Sequence, residues 1–352
     1  MSETENEEVF TDVVERVKAA LAGVAASSGA TMLPTETSDE IIKIVYEKNF
    51  MRSLFPALPM SRQTVDVPSL TGSIAFHEQT LTDSQDGTAQ AESRHTTAKL
   101  TLTLKTMIAN VPIGNYLIAY GVEGLLSVIR DDIASRLAFN ETNLFINGDT
   151  ETGNGFTDNI NGIYNASTNP NGVDASNNDY LLMFDGLRKG AGKSVSVSGT
   201  FAVSHLRSAI NALGVYAEDR SELSLLVSRN LEVQLLGLDQ LQTVDKYGPA
   251  ATILTGEVGR IYGVRVFATS AIQNNLAWTG SYDGTTTNKT VALLVHNRSP
   301  LLGNSTVADR RFSMDFHDEP TKDRFVLIPR QDIAFGLRYA DAVCKLTGIN
   351  TV

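Results

Sequence analysis

The spacing of apolar residues predicts a helix at the start of the chain. Within residues 7–24, one face carries apolar side chains at helical spacing: Phe10, Val13, Val14, Val17 and Leu21. A second, shorter helix is expected to begin after Ser38, because serine commonly caps a helix N-terminus. Few large apolar residues surround these helices, so the opening segment is predicted to be an arm and not a compact domain.

The chain changes character at residues 62–105, where RQTVDVPSL and SIAFHEQ predict strand and KLTLTLKTMI alternates strictly between apolar and polar residues. Leu100, Leu102 and Leu104 lie on one side of a predicted strand, and the residues between them lie on the other. The preceding stretch, TLTDSQDGTAQAESRH, is almost entirely polar. We therefore predict an extended two-stranded hairpin with a polar tip. Because an isolated hairpin is marginally stable in water, its apolar face needs another surface, which another chain can provide.

A long helix is predicted from Tyr116 to Asn147, where Gly148 ends it. Roughly 25–30 helical residues at ~1.5 Å each would make a rod of about 40 Å. Asn, Gly, Thr and Asp dominate residues 149–180, which predicts loop. The stretch YLLMFDGLRKG then predicts a short helix that ends at Gly190.

Helix and strand alternate in the second half of the chain, which indicates an α+β architecture. The predicted strands are TFAVS (200–204), SLLVS (224–228), RIYGVRVFAT (260–269) and TVALLVH (290–296). Helices are expected at 205–213 and 229–238, the second capped by Ser228. The segment 324–346 is predicted to be rich in strand and to pair elsewhere in the fold.

The formal net charge of −11 argues against a protein that binds nucleic acid through its phosphates, because such contacts need an excess of Lys and Arg. Cys344 is the only cysteine, so no intramolecular disulfide can form and a reducing compartment is expected. The acidic start, MSETENEEVF, lacks the charge pattern of a signal peptide. No apolar run is long enough to span a membrane, so no membrane partner is expected.

The stretch FDGLRKGAGKS resembles the end of a phosphate-binding loop at Gly192, Lys193 and Ser194. The spacing fails, because five residues instead of four separate Gly192 from Gly186. The predicted order is helix, turn and strand, whereas a phosphate loop leads from a strand into a helix. The glycines are therefore predicted to serve a turn. Basic side chains here are expected to contact a neighbouring chain or a helix end: Arg188, Lys189 and Lys193.

No catalytic or metal-binding constellation is visible in the sequence. The five histidines form no close ligand pair, and none lies beside Cys344. The stretch TDSQDGTAQAES imitates a calcium loop, but Thr82, Ser84 and Ser93 occupy positions that need acidic ligands. We therefore expect no enzyme activity, no catalytic residues, no cofactor and no metal.

The order of these elements resembles that of the major capsid proteins of tailed phages, the Hong Kong 97-type fold. The resemblance covers about Thr31 to Leu346. Its segments are 30–70, similar to the family's arm and E-loop hairpin; 111–149, similar to its spine helix; 180–190, similar to part of its peripheral (P) domain; and 200–214 with 253–272, similar to parts of its axial (A) domain.

By this resemblance the chain is expected to have five regions, each with a counterpart in the family. They are an N-terminal helix and arm (1–61), the E-loop (62–105), the P domain with the spine helix (106–199), the A domain (200–315) and C-terminal return strands (316–352).

The resemblance implies a structural function. Copies of the chain would form hexamers and pentamers that close into an icosahedral shell around a double-stranded DNA genome. The expected location is the virion capsid, assembled in the host bacterial cytoplasm. Expected partners are further copies of the chain, a portal protein, a separate scaffolding protein, a protease and a decoration protein. The DNA would be enclosed and not bound by sequence.

The resemblance also implies that the hairpin lies over a neighbouring subunit. Its polar tip would supply intersubunit ion pairs, each worth ~0–1 kcal/mol when exposed, from Asp83, Asp86, Glu92 and Arg94. Its apolar face would supply contacts repeated over many copies, from Ile74, Phe76, Leu100, Leu102 and Leu104.

Some members of the family weld the shell with Lys–Asn isopeptide bonds between the hairpin and the P domain. This chain has no Lys between Lys48 and Lys99, so the hairpin tip has no donor. It has no Asn between Asn304 and Asn350, where the acceptor would lie. No such cross-link is therefore expected.

Two alternatives stay open from the sequence. The first is an encapsulin, a bacterial compartment shell with the same fold that encloses a cargo enzyme; the long polar hairpin and the extended arm favour the phage protein. The second is a cytosolic enzyme whose α/β site is not evident. Assembly into shells, seen by electron microscopy, separates both shell proteins from the enzyme.

Overall fold

The computed structural model describes residues 50–70, 74–78, 93–116, 125–152, 159–165, 169, 172–174, 176, 178–238, 257–286, 288–307, 310–315 and 323–351. The helices predicted before residue 50 lie outside these ranges. The chain divides into two compact units. The described residues of the first unit fall within Ile108–Arg136 and Arg311–Arg330, and those of the second within Glu47–Met107, Leu137–Arg310 and Gln331–Val352.

Helices and strands are mixed along the chain, which confirms the predicted α+β class. The α-helices are α1 (Met51–Leu54), α2 (Leu125–Asn147), α3 (Leu187–Gly190), α4 (Val203–Leu213) and α5 (Arg229–Leu236). The first strands are β1 (Ala57–Met60), β2 (Thr64–Leu70), β3 (Thr97–Thr103), β4 (Lys105–Ile108), β5 (Val111–Gly114), β6 (Lys193–Gly199) and β7 (Leu223–Ser228). The later strands are β8 (Glu257–Ile261), β9 (Val264–Thr269), β10 (Lys289–His296), β11 (Pro300–Ser305), β12 (Arg310–Asp315), β13 (Arg324–Leu337) and β14 (Val343–Asn350). Short 3-10 helices occupy Tyr180–Leu182, Gly214–Ala217, Arg220–Glu222 and Ala340–Ala342.

The second unit is built around a sheet with the strand order β6-β14-β10-β7-β9-β8. β14 and β6 are parallel, as are β7 and β9, whereas β10 is antiparallel to β14 and β7. Every residue of β7 is buried, as expected for a strand that is covered on both faces. Because successive side chains alternate in direction, Leu226 enters one core while Leu225 and Val227 enter the other.

Helices cover one face of this sheet, and aromatic side chains pack against the other. The buried residues of α4 and α5 on the first face are Leu206, Ala209, Leu213, Leu231 and Leu235. On the opposite face, the ring of Phe335 lies 5.2 Å from that of Phe145 and 5.8 Å from that of Phe184, measured between centroids. The C-terminal end of α2, which contains Phe145, is therefore held in this core by aromatic packing.

A smaller set of strands completes the second unit. β1 runs parallel to β11, with Ala57 opposite Leu302. β11 runs antiparallel to the C-terminal part of β13, with Leu302 opposite Phe335. Met60, Leu301 and Ala334 from these strands form a separate small core.

The first unit has its own apolar cluster. β5 runs antiparallel to the N-terminal part of β13, with Val111 opposite Leu327. Ile113, Phe325 and Leu327 are buried there, and Ile129 and Ile133 of α2 pack against them. The four-residue spacing of the two isoleucines places both on one side of the helix.

Several predicted elements are confirmed, and others are wrong. α2, β7, α5 and β10 lie where the sequence predicts them, and Ser228 caps α5 by accepting a hydrogen bond from Leu231 N–H at 3.2 Å. The strand predicted at 200–204 is wrong: the strand is β6, at Lys193–Gly199, and α4 begins at Val203. Leu206, Ala209 and Leu213 are buried and lie at helical spacing. This pattern outweighs the short apolar and polar alternation predicted at 200–204.

The single strand predicted at 260–269 is also wrong, because it is a hairpin of β8 and β9. Tyr262 and Gly263 form its two-residue turn, with φ of 52° and 83°. Positive φ at both central positions is the geometry that matches the twist of paired strands. Gly263 is a turn signal in the sequence, but Tyr262 is a residue type that is common in strands and so favoured the prediction of one continuous strand.

Candidate functional site

The base of the predicted E-loop hairpin is a continuous antiparallel ladder. β2 and β3 pair from Thr64 opposite Thr103 to Leu70 opposite Thr97. On its polar face, Asp66 accepts hydrogen bonds from Lys99 Nζ at 2.8 Å and Thr101 Oγ1 at 2.6 Å. These bonds, first that of Lys99, hold the pKa of the exposed Asp66 carboxyl below its usual value. The polar face of the hairpin base is thus satisfied within the chain.

The apolar face of this base packs on the chain's own second unit. Leu102 is 1% exposed and joins Met60, Leu301 and Ala334 in their small core. Leu100 and Leu104 are partly buried against the same core. A side chain at Gly336 would come within 2.8 Å of Leu102 Cδ2, so glycine permits this close approach. The hairpin therefore has an intrachain surface to pack on, which the sequence did not reveal.

Farther along the hairpin, apolar side chains are left in solvent. Ile74 is 40% exposed and Phe76 is 95% exposed. Ala75 N–H donates a hydrogen bond to Ser93 Oγ at 2.7 Å, which links the two arms of the hairpin beyond the ladder. Arg94 is exposed. Of the predicted tip residues, Asp83, Asp86 and Glu92 lie outside the described residues, so the predicted intersubunit contacts stay a prediction.

The stretch that resembles a phosphate loop is a turn that leads into a strand, as the sequence predicts. Lys193 is the first residue of β6. Gly192 N–H donates to the carbonyl oxygen of Ala340 at 2.8 Å, so this amide is already used within the chain. A side chain at Gly192 would meet Asp341 Oδ1 at 2.6 Å. The backbone is thus packed against the turn before β14 and presents no phosphate cradle.

Replacing Lys193 with alanine is expected to have little effect. Its Nζ lies 3.3 Å from Asp341 Oδ1, but the two side chains are 40% and 59% exposed. Solvent screens such a pair, so the free energy of unfolding should fall by less than ~1 kcal/mol. Urea denaturation of Lys193→Ala checks this. Loss of a measurable ATPase activity in this variant would contradict it.

The helix predicted to end at Gly190 is wrong in form. The structure has a 3-10 turn at Tyr180–Leu182 and a separate helix at Leu187–Gly190. Asp179 caps the first by accepting a hydrogen bond from Leu181 N–H at 2.9 Å, and Gly186 precedes the second. Phe184 and Leu187 both enter the core. Tertiary packing of these two side chains therefore outweighs continuation of the helix.

Arg188 contacts a helix end, one of the two predicted possibilities, because it bonds to Asn147, the last residue of α2; its burial does not fit the other, a contact with a neighbouring chain. Its residue exposure is 1%. Nη1 donates to Asn147 Oδ1 at 2.7 Å, and Nη2 donates to Ile160 O at 2.5 Å and Asn161 Oδ1 at 2.9 Å. Burial lowers the pKa of Arg188 to about 9, opposed by the nearby charge of Asp149. At neutral pH this side chain is a buried cation.

Asp149 is the buried anion of the same cluster and is 0% exposed. It accepts hydrogen bonds from Ile160 N–H at 2.8 Å and Glu151 N–H at 3.1 Å. Lys189 Nζ lies 3.1 Å from it. Lys189 thus has its partner inside the chain, as Arg188 does. Buried charges are tolerated when paired and hydrogen-bonded in this way.

Asparagines complete this buried cluster, which we call the polar junction: Asn147, Asp149, Asn159, Asn161, Arg188 and Lys189. Asn161 Nδ2 donates to Asn147 O at 2.7 Å, and Asn147 Nδ2 donates to Ala271 O at 2.5 Å. Asn159 Nδ2 donates to Glu151 O at 2.9 Å. The junction ties the end of α2, the loop around Ile160 and α3 together. Its members form one network, so removing one leaves several buried partners unsatisfied.

Two glycines let the backbone segments of the junction meet. Gly186 N–H donates to Gly148 O at 2.8 Å. A side chain at Gly148 would collide with Phe184 O and lie 2.7 Å from Leu144 O. A side chain at Gly186 would lie 2.8 Å from both Gly148 N and Phe145 O. Gly148 therefore ends α2 and also makes room for a second chain segment.

Among the residues that the structure describes, no group of three or more His, Cys, Asp or Glu side chains is arranged to hold a metal ion. In the same part of the chain, no helix has the length and apolar character needed to cross a membrane.

Comparison with known sequences identifies the family. Residues 29–347 match the phage capsid family. Over 126 residues, 36% of this chain, the sequence is 28% identical to the major capsid protein of Klebsiella oxytoca phage phiKO2. That alignment spans 28% of the length of the phage phiKO2 protein.

Solved structures share the fold over most of the chain. The capsid of the native GTA particle matches with a TM-score of 0.58 and 17% identity, covering 93% of this chain and 99% of that one. A chain from Microbacterium phage Oxtober96 matches with a TM-score of 0.58 and 15% identity, covering 92% and 99%. The mature capsid of bacteriophage PhiM1 matches with a TM-score of 0.53 and 13% identity, covering 90% and 91%.

The fold is therefore that of phage capsid proteins, the Hong Kong 97-type, as the order of elements indicated. The chain belongs to the phage capsid family. The family match over residues 29–347 favours a phage capsid protein over the encapsulin alternative.

Proposed function

We propose that this chain is the major capsid protein of a tailed double-stranded DNA phage. Its copies form hexamers and pentamers that close into an icosahedral shell around the genome. The observation that carries this proposal is the family match over residues 29–347. The hairpin supports it, because Phe76 is 95% exposed, which is costly for a large aromatic side chain unless another chain covers it.

Electron microscopy of the full chain expressed alone tests this proposal. Closed shells or rings of capsomers are the expected result. A monomer at every concentration, particularly one that binds nucleotide, would contradict it. Enclosed double-stranded DNA in particles from infected cells, and not a cargo enzyme, is the expected content.

The exposed phenylalanine of the hairpin is expected to matter for assembly. Burying a Phe side chain contributes ~1.5–3 kcal/mol, so Phe76→Ser should lower the yield of closed shells roughly tenfold or more. Sucrose-gradient sedimentation measures that yield. The unassembled subunit should unfold as the unaltered chain does, because Phe76 makes so little contact with its own chain.

Val233→Ser is the matched control for this experiment. Val233 lies on α5 and is 64% exposed, so its replacement also removes an exposed apolar side chain. Shell yield should stay near that of the unaltered chain. Equal yields from Phe76→Ser and Val233→Ser would show that the hairpin phenylalanine makes no special contact.

Purified shells are expected to dissociate completely in boiling detergent. The hairpin region from residue 49 to residue 98 holds no lysine that could form an isopeptide bond. A denaturing gel of boiled particles should therefore show one band at the mass of a single chain. A ladder of covalent multimers would contradict the prediction.

The remaining assignments extend the same proposal. The chain has no enzyme activity and binds no cofactor. Its residues 1–61, 62–105, 106–199, 200–315 and 316–352 serve as arm, E-loop, P domain, A domain and return strands. Assembly takes place in the host bacterial cytoplasm with a portal protein, a scaffolding protein and a protease, and a decoration protein binds the shell. Proteins that co-purify with particles from infected cells test these partners.

A further inference from the structure

A cavity of about 480 Å³ opens on the surface of the second unit, beside α4. It is lined by Arg207, Ile210, Asn211, Arg220 and Tyr262. The first three lie at positions i, i+3 and i+4 of α4 and so share one face of that helix. Arg220 begins a 3-10 helix, and Tyr262 lies in the turn between β8 and β9. Three separate elements therefore supply this arginine pocket.

The charge of the arginine pocket is not neutralised within the described part of the chain. Arg207 and Arg220 are exposed, and neither guanidinium has a hydrogen bond or ion pair to a described residue. By contrast, Arg229 pairs with Glu232 at 3.1 Å and Arg298 pairs with Glu222 at 2.8 Å. None of the described residues that line the pocket is an Asp or a Glu. Two guanidinium groups without a carboxylate form a site suited to an anion.

A second, smaller cavity extends this basic surface around the same turn. It measures about 240 Å³ and is lined by Ser221, Arg260, Gly263 and Arg265. A side chain at Gly263 would lie 3.6 Å from Arg220 Cβ, so the turn packs directly on that arginine. Arginines thus lie on both sides of the β8–β9 turn.

Tyr262 is an unusual residue for its backbone conformation. At φ of 52°, the first position of a two-residue hairpin turn favours Asn, Asp or Gly, and a bulky side chain there is strained. Asparagine would make the turn at lower cost, so the turn alone does not explain tyrosine. The ring is 38% exposed and lines the arginine pocket, where it adds an apolar face and a hydroxyl.

We propose that the arginine pocket binds a carboxylate side chain of a second copy of this chain and so forms a contact between subunits. This inference rests on the proposed function, in which copies of the chain assemble. The chain carries 40 Asp and Glu residues against 29 Lys and Arg, so the surface of a neighbouring copy is rich in carboxylates. Ile210 and the Tyr262 ring suit the apolar stem of an acidic side chain. A net charge of −11 opposes a phosphate backbone as the occupant.

Charge reversal in the full chain tests the arginine pocket. Arg207→Glu combined with Arg220→Glu should lower the yield of shells and capsomers roughly tenfold or more, because like charges would face each other. Arg207→Lys with Arg220→Lys keeps the charge but loses the two-pronged hydrogen bonding, so it should lower the yield only a few-fold. Sedimentation velocity measures self-association, and thermal unfolding of the subunit should be unchanged in both variants.

Arg229→Glu combined with Arg298→Glu is the matched control, since it changes the net charge equally at arginines already paired within the chain. Its assembly should be near normal. Tyr262→Asn separates an effect on subunit stability from an effect on assembly. The subunit should be as stable as the unaltered one or more stable, while the yield of assembled particles falls.

The outcomes distinguish the inference from the proposed function. If the unaltered chain forms shells and the charge-reversed pocket variant forms them equally well, the inference is overturned and the proposed function stands. If the unaltered chain stays monomeric, both are overturned. Fluorescence anisotropy with a short DNA duplex tests the alternative that the arginine pocket binds phosphate groups. Binding that is lost in the pocket variant, with normal assembly, would overturn the inference in favour of a phosphate ligand.

Discussion

Gly148→Ala is expected to destabilise the subunit strongly. The added methyl group would collide with Phe184 O and lie 2.7 Å from Leu144 O, so two backbone carbonyls would have to move. Neither is the end of a flexible side chain, and both belong to segments fixed in the core. Overpacking of this kind costs ~1–3 kcal/mol, and backbone contacts place this site at or above the upper end of that range. Urea denaturation of the unassembled chain measures the loss.

Gly199→Ala provides the matched control. Nothing lies within 4 Å of a side chain built at Gly199, and its backbone is not in the left-handed region. The substitution should be neutral or stabilise by ~0.4–1 kcal/mol, because alanine reduces the freedom of the unfolded chain. Equal stability of the Gly148→Ala and Gly199→Ala variants would contradict the close approach of chain segments at Gly148.

Elements with long, regular patterns could be predicted from the sequence. α2 repeats its apolar residues over many turns, and its end at Asn147 was marked by the glycine that follows. β7 and α5 were predicted because the apolar residues Leu225, Leu226 and Val227 are followed by Ser228, a good helix cap. In these cases the local preference and the tertiary environment agree.

The errors fall where tertiary contacts decide the conformation. At the turn of Tyr262 and Gly263, the glycine is a local turn signal, but tyrosine favours strands and so supports the prediction of one continuous strand. Phe184 and Leu187 have helical spacing and both pack into the core, but Phe184 lies between the 3-10 helix that ends at Leu182 and the helix that begins at Leu187. Short segments carry too few residues for their pattern to outweigh such packing.

The polar junction was missed for a related reason. Asp149, Asn159 and Asn161 lie in a stretch whose composition indicates exposed loop, yet all three are buried. Composition reports polarity but not which polar groups find partners. The available signal was Arg188 itself, a cation between apolar Leu187 and the turn, eight residues from the predicted loop.

Replacing Arg188 with methionine is expected to cost ~3–5 kcal/mol of unfolding free energy, the range for breaking a buried charged network by removing one partner. Methionine fills similar space but donates no hydrogen bond. Asn147 Oδ1 and Asn161 Oδ1 would then lose their donor while remaining buried, and Ile160 O would keep only the hydrogen bond from Tyr282 N–H. Arg188→Lys keeps the charge, but its single ammonium group cannot reach all the acceptors that Nη1 and Nη2 contact. A smaller but clear loss of unfolding free energy is therefore expected.

Arg298→Met shows whether this loss comes from burial. Arg298 donates to Glu222 at 2.8 Å, but its side chain is 74% exposed, so breaking the pair should cost less than ~1 kcal/mol. Urea denaturation of Arg188→Met, Arg188→Lys and Arg298→Met should therefore rank them in that order of destabilisation. If Arg188→Met were no worse than Arg298→Met, the polar junction would not hold the end of α2 to the loop around Ile160. Mature shells should show the same ranking in their thermal stability, because this network lies inside each subunit and assembly does not replace it.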